Sequence, residues 1–164
     1  MPDHLLLELT SYNRMNDIVG CVQFSHTLPP PLLEERISEV WLRLRFHSPL
    51  VAADIIHDTD LEKLGYWVYR PVDLEGAKEW RQKTLHFRRV PNRHLTKDFI
   101  DDFIQERLAV PLPHGGDTGL LFHCHVLFEN ESNRVAIFLH AIHVILDGPG
   151  KISFRCHLMD SPFP

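Results

Sequence analysis

The residues best suited to chemistry in this chain are its histidines, 12 among 164 positions. Imidazole titrates near neutral pH and carries a lone pair, so a fixed histidine can move a proton or hold a metal ion. Two arrangements stand out. His123 and His125 lie two apart in the β-forming run GLLFHCHVLFEN (119–130), which puts both side chains on one face of a strand. If that run pairs with the next, RVAIFLHAIH (134–143), His140 or His143 comes near the same face. Three imidazoles on neighbouring strands suffice for a zinc site with an open position, and a metal-binding protein is one reading of the chain. His-x-His also arises by chance in a His-rich sequence, as half-buried residues hydrogen-bonded to neighbours. On that plainer reading, no metal ligand is assigned.

The second arrangement is His143-Val144-Ile145-Leu146-Asp147-Gly148. A histidine ends an apolar strand, and an Asp-Gly turn follows after three apolar residues. The strand holds the imidazole's backbone, while the Asp can pin the turn through hydrogen bonds or an ion pair. A rigidly placed imidazole suits proton transfer. By itself this pattern is short, and a core turn would produce it as readily as a catalytic site.

These residues must be positioned by the elements around them. DIVGCVQFSH predicts a strand at about 18–25, and TLPPP punctuates it. Leu33, Ile37, Val40, Trp41 and Leu44 recur at helical spacing, predicting an amphipathic helix over about 30–46. His47-Ser48-Pro49 ends it, because the residue before proline is pushed out of the helical region. LVAADIIH (50–57) and GYWVYRPV (65–72) read as apolar strands. Residues 73–89 are ambiguous, with LEGAKEWRQKT as a short helix despite Gly76. Thr96 is a helix N-cap, and Phe99, Ile100, Phe103, Ile104 and Leu108 form a stripe to about 109. PLPHGGDTG (111–119) is a loop, and the two His-bearing strands form a hairpin through ENESN. The order β-α-β-β-(α)-α-β-β predicts an α/β chain of the α+β type, a mixed sheet with helices packed on it. A purely parallel doubly wound sheet does not fit.

Composition narrows the function. Hydrophobic residues make up 44% and charged residues 24%, an ordinary globular balance that excludes disordered and collagen-like classes. A chain of this length can bury about two-thirds of its unfolded surface. With 17 Lys and Arg against 22 Asp and Glu, the net charge of −5 speaks against nucleic acid as a partner. No apolar run approaches the roughly 20 residues of a membrane span, and the N-terminus makes no convincing signal peptide. Cys21, Cys124 and Cys156 are odd in number and unpaired in spacing, which suggests a reducing cytoplasmic setting.

The His143-to-Gly148 element, at the end of its apolar strand, resembles the catalytic motif of the chloramphenicol-acetyltransferase-like superfamily. That group includes condensation domains of non-ribosomal peptide synthetases and the BAHD acyltransferases. The upstream chain is similar to their N-terminal lobe: an early strand ending Ser25-His26, the helix ending Trp41-Leu-Arg-Leu-Arg-Phe-His-Ser-Pro49, then Leu50-Val-Ala-Ala-Asp-Ile. The resemblance covers about residues 10–150, and only the HxxxDG element in it is specific. It implies one lobe of a two-lobed acyltransferase, with His143 as general base. It further implies Asp147 holding the motif's loop and Gly148 permitting its close turn. No bound cofactor is implied. Acyl-CoA or an acyl-carrier thioester would be the donor, and a hydroxyl or amine the small-molecule acceptor. Ile142 stands where condensation domains carry an additional His, so the single-His form fits better.

The family continues past this motif with a helix and a second lobe, whereas KISFRCHLMDSPFP has no apolar stripe. The chain therefore divides into a lobe at 1–150 and a non-family tail at 151–164. Gly150-Lys151 can be encoded GGT AAG, a GTAAG-type intron start, so read-through or an alternative terminus would explain the tail. A missing second lobe, or a homo-oligomer, is then the implied partner. The other reading is a non-catalytic fragment or interaction module that keeps the lobe fold. Arg70–Lys97, with eight Lys or Arg against three Asp or Glu, reads as a solvated face, or else as a phosphate-binding patch. Cys124 sits on the strand face opposite His123 and His125.

Overall fold

The computed structural model describes residues 17–57, 65–110, 112, 120–130 and 132–142. His143, Asp147, Gly148 and the tail 151–164 lie outside the described residues. Strand β1 (Asp17–Ser25) leads to helix α1 (Pro30–His47), then to a short 3-10 turn at Pro49–Ala52. Strands β2 (Ala53–His57) and β3 (Gly65–Tyr69) follow. Helix α2 (Leu74–Thr84) runs directly into strand β4 (Leu85–Val90). Helix α3 (Lys97–Ala109) and strands β5 (Phe122–Glu129) and β6 (Arg134–Ile142) complete the order.

Four strands form one mixed sheet in the order β1-β6-β5-β4, and β2-β3 stand apart as an antiparallel pair. β6 pairs antiparallel with both β1 and β5, as the predicted hairpin requires, while β4 pairs parallel to β5. This is the expected α+β arrangement with a mixed sheet.

Local chemistry explains most of the boundaries. Pro30 occupies the first position of α1, where its missing N–H costs nothing. Leu33, Ile37, Trp41 and Arg45, at four-residue spacing, form its buried stripe. Thr96 caps α3 as expected, its hydroxyl accepting the Phe99 amide at 3.3 Å. Asp73 caps α2 in the same way through the Gly76 amide at 2.9 Å. Gly76 suits this helix because a Cβ there would come within 2.9 Å of the Val72 Cβ.

Two expectations are corrected. The strand expected at 50–57 begins only at Ala53, because Pro49 starts a 3-10 turn that the Val51 amide closes on the Ser48 carbonyl at 3.0 Å. The ambiguous stretch 73–89 splits into helix and strand, so β4 was not legible as a separate element. Its strand period is hidden by abutting a helix with no glycine between them.

The two sheet faces carry separate cores. Leu85, Phe122, Cys124, Val126, Val135 and Ile137 face α1 and α2, where they join Trp41 and Trp80. Val90, Leu127, Ala136 and Phe138 face α3 and pack on Phe103. The basic stretch is solvated: Lys78 pairs with Glu75, Arg89 with Glu34 and Lys97 with Asp101 on exposed surfaces. Among the described residues, no helix is long and apolar enough to cross a membrane.

Candidate functional site

The described residues that could do chemistry converge on the α3 face of the sheet, at one end. Alternation along β5 puts His123 and His125 there, and Cys124 on the opposite face in the core. The parallel register sets His86 of β4 opposite His125, and the antiparallel register sets His140 of β6 opposite His123. Four histidines from three adjacent strands thus share one face. Sheet and helix flank a half-open cavity of about 540 Å³ over them, lined also by Phe103 and Arg107.

Their hydrogen bonds separate them into two groups. His140 is buried, and its Nε2–H donates to Asp17 Oδ2 at 3.1 Å. The same carboxylate oxygen accepts the Leu112 amide at 3.0 Å, so this pair ties the segment after α3 to the sheet end. His140 is therefore structurally engaged. His86, His123 and His125 form the second group, one ring nitrogen of each lying within 4.8 Å of the others. His123 Nε2–H donates to the Leu120 carbonyl at 3.0 Å, which leaves Nδ1 as the lone-pair nitrogen. That Nδ1 accepts from His86 Nε2–H at 3.2 Å. The rings lie nearly parallel: His86 and His125 have centroids 4.8 Å apart and planes 21° apart. Phe103 meets His125 edge-on at 5.7 Å between centroids.

The site holds these rings neutral. Burial, then the fields of His86 and Arg107, pulls His125 down to about 3. Burial, then His86, pulls His123 down to about 4. His86 is lowered more mildly, first by burial and then by Arg107. Bases this weak are poorly matched to taking a proton near neutral pH. What the cluster presents is lone pairs. Neither described cysteine competes as a nucleophile: burial raises the Cys21 thiol to about 11 and the Cys124 thiol further still.

The structure thus brings His123, His125 and His140 onto one face as the spacing predicts, and adds His86. His86 was missed because β4 was. The alternation Leu85, Phe87, Arg89 against His86, Arg88, Val90 is the signal that was there to find. The sequence-predicted catalytic residue His143 follows Ile142, the last residue of β6, directly in the chain, and lies outside the described residues together with Asp147 and Gly148.

No protein-family model matches the chain, and no curated protein matches it in sequence. Solved structures do match in fold. The wax ester synthase/diacylglycerol acyltransferase of Marinobacter aquaeolei VT8 superimposes with a TM-score of 0.57 at 16% identity, covering 90% of this chain and 33% of the enzyme. The first condensation domain of the calcium-dependent antibiotic synthetase, bound to a substrate analogue, gives 0.63 at 14% identity, covering 85% of this chain and 31% of the domain. A starter condensation domain of rhizomide synthetase in complex with C8-CoA gives 0.56 at 13%, covering 86% and 28%. The chain spans about a third of the length of the structures it matches. Its fold is that of part of a condensation domain, the chloramphenicol-acetyltransferase-like architecture expected from the HxxxDG element.

Proposed function

We propose that the chain is the N-terminal lobe of an acyltransferase of this fold, with His143 as the general base. The observation that carries the reading is the coincidence of motif and strand. His143-Val-Ile-Leu-Asp147-Gly148 begins at the residue after β6, the strand flanked by β1 and β5, in a chain with a condensation-domain fold. The donor is an acyl-CoA or carrier thioester, consistent with the C8-CoA bound to one structural neighbour. The acceptor is a hydroxyl or amine.

In the reaction, the acceptor's O–H or N–H gives its proton to His143 as its lone pair attacks the thioester carbonyl carbon. The resulting oxyanion collapses, the C–S bond breaks, and the thiolate leaves with the proton returned by the imidazolium. No acyl-enzyme is formed. Asp147 holds the loop and Gly148 lets it turn. The weakly basic His123 and His125 are not suited to this proton transfer. A second lobe, or a second copy of the chain, supplies the other wall. The cytoplasm, reducing and supplied with acyl thioesters, is the setting this reading implies.

The structural matches bear on the fold alone, and a non-catalytic lobe that retains it is the second reading. Thiol release from acyl-CoA donors, followed colorimetrically and by mass spectrometry of the acylated acceptor, separates the two. Transfer that is lost in His143→Ala supports the enzyme. Undiminished turnover in that variant sinks the assignment, and no turnover by the folded chain alone or reconstituted with a second lobe favours the non-catalytic reading.

A further inference from the structure

We propose that His86, His123 and His125 bind a divalent transition-metal ion, zinc by preference, through one ring nitrogen each, with the remaining position open to the cavity beneath α3. The site includes no residue of the HxxxDG element and does not depend on the acyl-transfer reading.

Distance is the first argument. His86 Nε2 and His123 Nδ1 are 3.2 Å apart. Two nitrogens on a tetrahedral zinc, each bonded at about 2.0–2.1 Å, stand about 3.3 Å from one another. A zinc ion can therefore replace the bridging proton without moving the strands. For His86 Nε2 to bind the metal its proton shifts to Nδ1, the other tautomer of the same neutral ring, so both rings stay neutral and no proton is lost. The third nitrogen, on His125, lies within 4.8 Å of the other two, and binding would draw it in to the same spacing of about 3.3 Å.

Support behind the ligands is the second. Metal-bound imidazoles characteristically donate their other N–H to a carbonyl or carboxylate, which fixes ring and tautomer. His123 already does so, to Leu120. The parallel ladder holds His86 opposite His125, so the three Cα positions are set by sheet hydrogen bonds and not by loops. Ligands on rigid elements need little reorganisation.

Donor type is the third argument. Three neutral imidazoles suit zinc, copper or nickel, and offer nothing to magnesium or calcium, which require oxygen. The nearby side chains are otherwise engaged: His140 Nε2 with Asp17, and Glu106 with Arg107. With no carboxylate in the ligand set, a bound dication keeps its charge. Its open side, facing the cavity, would take water, hydroxide or an anionic oxygen.

The test uses the full chain without an affinity tag, stripped with a chelator and dialysed against zinc. One equivalent should remain bound, and the melting temperature should rise with zinc concentration, as for any ligand of the folded state. Cobalt(II) in its place should give the intense visible bands of a four-coordinate site. His86→Gln and His123→Ala should each abolish the stoichiometric zinc and the cobalt spectrum, whereas His47→Ala, on the exposed end of α1, should retain both. His86→Gln changes a half-buried strand residue and keeps the test valid if His123→Ala does not fold, as judged by far-UV circular dichroism. Absence of stoichiometric zinc from the folded wild-type chain overturns the proposal. So does zinc retained by a folded His86→Gln chain.

Discussion

The two faces of the same sheet are built for different purposes. On the α1/α2 face, Trp41 lies stacked between Trp80 at 5.6 Å and Phe122 at 5.0 Å. A polar link there is closed on itself: the Trp41 indole N–H donates to Thr84 Oγ1 at 2.9 Å, and that hydroxyl donates to the Trp80 carbonyl at 2.8 Å. On the α3 face, packing by Phe103 and Phe138 gives way toward one end to imidazoles and open volume. β5 supplies both, Phe122 and Cys124 to one side and His123 and His125 to the other. The difference teaches that one strand's alternation separates the aromatic-stacked surface from the one that carries the imidazoles. Chemistry can vary on the second without dismantling the first.

Breaking the packed face should cost most. Phe122, fully buried and stacked on Trp41, should destabilise the chain by about 3–5 kcal/mol when replaced in Phe122→Ala. His125→Ala, on the other face of the same strand, should cost far less. Chemical denaturation of both variants measures the gap, and equal losses would erase the distinction between faces.

A subtler change on the packed face is Thr84→Val, nearly isosteric but without the hydroxyl. It strands the buried indole N–H of Trp41, and about 1–3 kcal/mol should be lost. Trp fluorescence during unfolding reports the same transition, since the partner is the affected fluorophore. A loss below a few tenths of a kcal/mol would mean that the indole finds another acceptor.

The smallest effect sharpens the site face, and concerns pH. In the metal-free chain, His123 and His125 are held at about 4 and about 3, below the ordinary histidine value near 6.5. Between those values the unfolded chain binds more protons than the folded one, so stability must fall as pH drops from about 6.5 toward 4. Above that window the two residues contribute no slope. With chelator present, melting temperature against pH should decline more gently in His125→Leu than in wild type. Superimposable curves would show that His125 titrates normally in the folded chain.

The acid limb has a second, lower component that the His variant leaves in place. Burial acts to raise the Glu129 carboxylate, but hydrogen bonds from Ser132 and the Leu95 amide, with Arg134 nearby, hold it below its ordinary range. Its contribution persists above the ordinary carboxylate range and is lost only as pH falls through the lowered value.

The fold was legible wherever local chemistry is strong. The prolines and spaced apolar residues before and within α1, Thr96 at the start of α3, and the turn between β5 and β6 each mark an element within a few residues. β4 was not legible. Its hydrogen bonds go to β5, with Leu85 opposite Cys124 far along the chain, and nothing within LHFRRV names that partner. For the same reason the His cluster could be only half seen. His-x-His on one strand follows from a two-residue period, but the third member arrives through a parallel crossover.

By itself, then, the sequence determined most of the helices and strands (β4 excepted), which β5 residues share a face, and that an HxxxDG element follows the strand now seen as β6. Periodicity, capping and proline geometry act over a few residues, so a linear string records them. The tertiary structure alone decided which imidazoles meet. It brought His86 to His123, and it gave His140 to Asp17, a partner 123 residues away. Pairing register and helix placement depend on burying both sheet faces at once, a property of the assembled core and of no single stretch of chain.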